Sequence, residues 1–469
     1  MPQLAPHPNR LLPADPGTRD IARRLYAEVS GLPIISPHGH VPPEWLAQDI
    51  PFSDPTTLLI SPDHYVTRLM HSAGVDLAAL GVGGSELDEA GKRAAWRLFC
   101  EHWPVYRGTA IRFWMEAELH DIFGVTERPS AETADAIYGQ IAAALATPEF
   151  RPRALFERFG IEIIATTDDP CDDLHHHDAL AADESFAGRV MPTFRPDRYL
   201  EPGREGWSEL VDALGEAAGV DTGTYAGFRE ALATRRQYFK DHGAVSTDHS
   251  HADVVTLVLD DAEAHRLFAR CRSGEANADE ATALRRFLLV EMARMAVDDG
   301  LVMTLHPAVA RNHSQASFNR FGADTGCDIP IAVEWTTGLQ SLLAEVGLAP
   351  GFQVVLFTLD GDTFSREIAP LAGFYPSVFA GAPWWFLDAP DAIRRFQGAV
   401  SDIAGFSRMS GFIDDTRAFC SIPARHDLSR RLDCAFLAEL VATHRLEEDE
   451  ALDTARALVA TNPRKAFKL

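Results

Sequence analysis

His38 and His40 stand two positions apart at the end of an apolar run, Pro33–His40 (PIISPHGH). On a strand, side chains two apart share a face, so both imidazoles can turn toward one ion. Neutral imidazole suits zinc and related metals. The spacing is weak by itself in a chain with 18 histidines. A catalytic ion also needs a third protein ligand and an open position. Asp415 is the candidate third ligand, with its neighbour Asp414 expected to point the other way. The alternative for Asp415 is a helix cap. His306 reads as a further ligand, a hydrogen-bonding group or a satisfied core histidine. The triplet His175-His176-His177 diverges on a helix and is expected on a solvated face.

Three arginines accompany these groups. Arg195, Arg311 and Arg417 all fall at or just after the ends of apolar runs. Arginine grips a carboxylate with two parallel hydrogen bonds and stays charged, so the trio points to a small anionic substrate. Each could instead pair with a local aspartate, Arg195 with Asp197 for example. His64 and Tyr65 could add an acid/base pair. A tyrosine with its high ordinary pKa would donate. Trp384 and Trp385 could form an apolar wall for a sugar ring, or core.

These residues need elements that bring them together. Eight short apolar, β-branched runs punctuate the chain, most ending in polar residues. They are Pro33–His40, Ile161–Pro170, Arg189–Asp197, Ala244–His251, Leu301–Ala308, Phe352–Asp360, Pro376–Phe386 and Met409–Arg417. Helical patterns separate most of them. Buried parallel strands read this way, and eight is the number a (β/α)8 barrel requires. The predicted fold is therefore α/β, a distorted TIM-type barrel. In such a barrel every strand ends on one face, where His38, Asp168, Arg195, His249, His306, Trp384 and Asp415 would converge. The first and eighth strands are neighbours, which is how Asp415 could reach the two early histidines.

The chain divides into an N-terminal helical segment, 1–32, and the barrel, 33–469. Within the latter, a helical insertion at about 41–155 is far longer than an ordinary strand connection. Patterns such as Asp63–Ala73 and Arg112–Phe123 suggest helices over the barrel mouth, able to act as a lid. A small separate domain is the alternative.

Composition narrows the partners. The formal charge of −25, from 43 basic and 68 acidic residues, disfavours nucleic acid and anionic membrane surfaces. No apolar run is long enough to span a bilayer, and the N-terminus lacks an apolar signal region. Six scattered cysteines without a C-x-x-C pair fit free thiols, and the expected location is the cytoplasm.

The stretch PIISPHGHVPPEW resembles the first-strand motif of the uronate isomerases, a branch of the amidohydrolase superfamily. The resemblance runs on through DHYVTRLM (Asp63–Met70), TTDDP (Thr166–Pro170), PTFRPD (Pro192–Asp197) and HPAVARN (His306–Asn312). It ends with PWWF (Pro383–Phe386) and DDTRAF (Asp414–Phe419). It implies that His38, His40 and Asp415 hold one divalent metal, usually zinc. It implies that His64, Tyr65, Arg195, His306, Arg311, Trp384 and Arg417 line the substrate site. Catalytic duty would fall on Asp415, Tyr65, His64, Arg417 and His306. The implied reactions are D-glucuronate to D-fructuronate and D-galacturonate to D-tagaturonate, in a homo-oligomer such as a trimer. Gly39 stands where the family often has Cys, and Phe194 where it often has Trp. A zinc hydrolase or deaminase of the same fold is the runner-up, though no strand-end lysine could bridge a second metal. A non-catalytic sugar-acid binder would need the arginines but neither metal nor base.

Overall fold

The computed structural model describes residues 3–469. Nine short strands form: β1 (Ile34–Ser36), β2 (Ile161–Ala165), β3 (Arg189–Met191), β4 (Ser246–His249), β5 (Val302–Leu305), β6 (Val309–Ala310), β7 (Ile329–Pro330), β8 (Val354–Leu356) and β9 (Val378–Ala380). β1, β2 and β3 pair in parallel, as do β4, β5, β8 and β9. Phe194 bridges the two groups by pairing with Asp168 on one side and Thr247 on the other. Met409 bridges Ala380, and the His40 N–H donates to the Thr416 carbonyl at 3.0 Å. Backbone contacts therefore pass through all eight expected segments and return to the first. Most strand residues are buried, as continuous Ile/Val runs require when helices cover the outside and side chains fill the inside.

The eighth segment differs from expectation. Met409–Arg417 makes only an isolated bridge, not a strand. Gly411 has φ +77° and Asp415 has φ +41°, which take the backbone out of the extended region. A Cβ on Gly411 would lie 2.5 Å from Pro463 Cδ, so the close approach also demands glycine. A second difference is the antiparallel pair β6–β7, which follows the end of β5. Two-residue strands leave no periodic signal to read.

Two helices fix the first strand from below. Pro16–Val29 packs on Ile422–Ala442, the helix that directly follows the Asp415 segment. From the latter, the buried Arg430 donates to the carbonyls of Ser30 and Pro33, both at 2.9 Å, immediately before β1. The two extremities of the chain are thereby tied at one place.

Between β1 and β2 the chain is helical, with Glu89–Glu101, Ala110–Ala117 and Ala134–Leu145 among its longer helices. Trp96, Trp103, Tyr106 and Trp114 from this region share one apolar core with Trp384, Trp385 and Phe419. The insertion thus lies against the ends of the strands. Its helix His64–Ser72 begins at the cavity, where the Asp63 carboxylate accepts from the Tyr65 N–H at 2.9 Å. Among the described residues, no helix is long and apolar enough to cross a membrane.

Candidate active site

The C-terminal ends of the strands surround a cavity of about 680 Å³. His38, His40, His64, Tyr65, Arg195, His306, Arg311, Trp384, Asp415 and Arg417 all line it. Asp415 Oδ1 lies 3.0 Å from His40 Nε2 and 3.4 Å from His38 Nε2. His38, His306 and Asp415 each offer one ligand atom within 4.8 Å of the others. His40 falls outside that tighter trio yet makes the shorter approach to Asp415, so the four form one group. Asp414 points away, with Oδ2 3.1 Å from His426 Nε2.

The electrostatics follow from burial and charge. Burial opposes ionisation of Asp415, but the facing imidazoles of His38 and His40 hold its carboxyl well below the usual range. Burial lowers the pKa of His306, against the pull of Asp248. His306 Nδ1 sits 2.7 Å from Asp248 Oδ1. An ionised carboxylate only accepts, so Nδ1–H donates and the buried, unpartnered Nε2 is left as a bare acceptor on the other side of the ring. The His38 and His306 rings stack with centroids 4.5 Å apart.

His64 is neutral. Burial, reinforced by the Arg417 charge, pushes its pKa down to about 3, and both ring nitrogens lack partners. Tyr65 donates to Asp388 at 2.9 Å. Burial and the Asp388 charge push its phenol well above its ordinary pKa. Asp388 itself, raised to about 6 by burial, also receives Arg425 at 2.7 Å.

Each arginine has an aspartate partner. Arg195 Nε lies 2.9 Å from Asp197 and 3.4 Å from Asp248. Arg311 donates to Asp328 at 3.0 Å and to the Ser250 hydroxyl at 3.1 Å, and lies over the Trp385 ring. Arg417 reaches Asp324 at 3.3 Å. Local pairing and a place in the cavity wall are thus both true of all three.

Two expectations need correction. His249 does not line the cavity; Asp248 does. Alternation along β4 sends consecutive side chains to opposite faces, and the inward register falls on Asp248. The triplet on helix His175–Ala182 is not uniformly solvated. His177 is buried, with Nε2 2.8 Å from the Thr166 hydroxyl. Residues that sequence reasoning missed include Asp248, Asp388, Asp324 and Asp328. A period-two reading of Ser246–Ser250 in the other register would have found Asp248. The remaining three sit in irregular segments with no periodicity to expose them.

Gly39, between the two histidines, has nothing closer than 3.4 Å to an added Cβ, so the position tolerates a small side chain. Phe194 is wholly buried, edge-on to Phe239 at 5.1 Å and away from the cavity lining. The two departures from the family pattern leave the cavity-lining groups unchanged.

The glucuronate isomerase family model matches residues 17–467. A uronate isomerase of Cutibacterium acnes is 54% identical over 468 residues, covering 100% of this chain and 99% of its own. The crystal structure of glucuronate isomerase from Caulobacter crescentus superposes with a TM-score of 0.97 at 45% identity, covering 99% of this chain and 97% of that one. That of uronate isomerase from Thermotoga maritima gives 0.92 at 29% identity, covering 98% and 99%. With likeness running from end to end in both sequence and fold, the chain belongs to the glucuronate isomerase family.

Proposed function

We propose that the protein is an aldose–ketose isomerase of hexuronates, converting D-glucuronate to D-fructuronate and D-galacturonate to D-tagaturonate. The observation that carries this reading is one cavity holding both the His38–His40–His306–Asp415 group and three arginines. The reaction moves a proton between C2 and C1 of the open-chain sugar through a cis-enediol.

The four-residue group fits a divalent ion. Asp415 Oδ1 and His306 Nε2 are buried without hydrogen-bond partners, and imidazoles with a carboxylate suit zinc. His38, His40 and Asp415 would hold one such ion, with His306 bordering it. When bound, the ion supplies Lewis acidity to a substrate oxygen.

The chain's own groups do the rest. Asp415 is the base that carries the proton between the two carbons: its carboxylate is ionised and faces both His38 and His40, whereas that of Asp248 is engaged by His306 and Arg195. Tyr65 keeps its proton at neutral pH, held by Asp388, and serves as donor to a substrate oxygen by exchanging that partner. His64, neutral and unpartnered, relays a hydroxyl proton during ring opening. Arg417 supplies a cation near charge that develops on oxygen. Arg195 already faces two carboxylates, whereas Arg311 faces one. Arg311 is therefore the better grip for the substrate carboxylate, with Trp384 and Trp385 as the apolar wall.

The expected setting is the cytoplasm, consistent with six unpaired cysteines. A homo-oligomer is expected too, and Leu348, Phe374 and Ile403 offer exposed apolar surface for contact between copies. The deciding experiment is incubation of zinc-loaded protein with D-glucuronate and D-galacturonate, following the ketose. Formation of fructuronate or tagaturonate is expected; zinc-loaded protein that turns over neither removes the proposal.

A further inference from the structure

A second His-x-His pair lies just outside the cavity wall. His249 ends β4 and His251 follows two residues later. With Asp197 they form another group whose ligand atoms all fall within 4.8 Å. The arrangement repeats, on a different strand, the chemistry of His38, His40 and Asp415.

The ring nitrogens argue for a ligand. His251 Nδ1 lies 2.6 Å from Glu201 Oε1, so Nδ1–H donates to the carboxylate and Nε2 is bare. That Nε2 is buried, has no hydrogen-bond partner, and sits 3.8 Å from Asp197 Oδ1. His249 Nε2 lies 3.1 Å from the Thr247 hydroxyl, while its Nδ1 is buried and unpartnered. With Nε2–H donating to the Thr247 hydroxyl, Nδ1 is the nitrogen left free to ligate a metal. His249 is 1% and His251 4% exposed. Two bare nitrogens beside a carboxylate are costly to bury without a partner.

Asp197 remains able to ligate. Its Oδ1 accepts only the Ser250 N–H at 3.0 Å, and its Oδ2 takes Arg195. The Glu201 contact fixes the His251 ring as outer carboxylates do around metal-bound histidines. Asp197, Glu201 and Ser250 also line the cavity, which gives an ion a way in.

We propose that Asp197, His249 and His251 form a second metal site, taking a late first-row divalent ion such as zinc or cobalt rather than magnesium or calcium. Two nitrogens and one carboxylate set that preference. The site is independent of the hexuronate reading. It would tie the end of β4 to the turn at Asp197 and hold the carboxylate that faces Arg195.

The test counts ions rather than turnover. Chelator-stripped protein is titrated with cobalt, passed through gel filtration and analysed for bound metal and visible absorption. Two ions per chain are expected for the unaltered protein and one for His251→Gln. The double variant His38→Ala/Asp415→Asn should keep one ion with a distinct spectrum. That variant leaves the second site intact and decides the matter if His251→Gln does not fold. A folded His251→Gln protein with the unaltered count, or a double variant that retains no cobalt, overturns the proposal. Two bound ions without uronate turnover would remove the isomerase reading and leave this one standing.

Discussion

At the residue scale, Asp415 carries two demands at once. It must stay ionised in a buried place and must adopt φ +41°, a region that non-glycine residues rarely occupy. Strain of this kind persists only where surrounding structure imposes it. Asp415→Asn keeps the shape and removes the proposed base. Its kcat should fall by ~10²–10⁴ with a smaller change in KM, the usual range for a lost acid–base group. Progress curves with D-glucuronate measure this, and near-normal kcat would show that another group moves the proton. Arg311→Met should raise KM for a uronate by ~10–100-fold, from the loss of a charge-assisted hydrogen bond worth about 1.5–3 kcal/mol. A neutral aldose serves as control; equal losses for both substrates would exclude a carboxylate-specific role. His38, His40, Arg195 and Asp415 were legible because strand ends and spacing single them out. Asp388 was not, since an isolated aspartate looks the same whether it orients a neighbour or faces water, and Asp248 was missed through the choice of register along β4.

At the element scale, the decisive feature is how the last segment reaches the first strand. Met409–Thr416 is held by single contacts rather than a ladder, so backbone conformation at individual positions matters. Gly411→Ala should destabilise the protein by roughly 1–3 kcal/mol, through a positive φ and a clash with Pro463. Thermal unfolding of the variant tests this, and an unchanged midpoint would show that Pro463 yields freely. The eight apolar runs were readable because buried β-branched stretches advertise strands. The failure of the eighth to pair as a ladder was hidden, because one glycine beside a distant proline leaves no local signal.

At the scale of the whole molecule, pH should act through a carboxyl outside the cavity lining. Asp433 lies between helices Pro390–Ser401 and Ile422–Ala442, where Gln397 donates to it. Burial pushes its pKa up from 3.8 to about 7, with Gln397 and Ser429 pulling the other way. A raised folded-state pKa contributes stability below about pH 4 that is lost as pH rises through about 7. Asp433→Asn keeps an acceptor for Gln397 and removes the charge. The variant should therefore unfold at higher temperature than the unaltered protein at pH 8, with the gap narrowing toward pH 5. Parallel curves across that range would rule this carboxyl out. The proposed homo-oligomer is tested at this scale too. Sedimentation should give a mass that is a multiple of 51.5 kDa, and a lone 51.5 kDa species would contradict self-association through Leu348, Phe374 and Ile403.

The amino-acid sequence by itself determined the α/β class, the eight segments, and the residue types able to do carbonyl–enediol chemistry. Those properties are carried by local periodicity and by side-chain identity, both written along the chain. Tertiary structure alone decided that His306 joins His38 and Asp415, that Asp248 faces inward in place of His249, and that Asp388 and Arg425 stand behind Tyr65. Such facts depend on register and on contacts between residues hundreds of positions apart. A one-residue shift along a strand exchanges the two faces, and the sequence does not say which face is in.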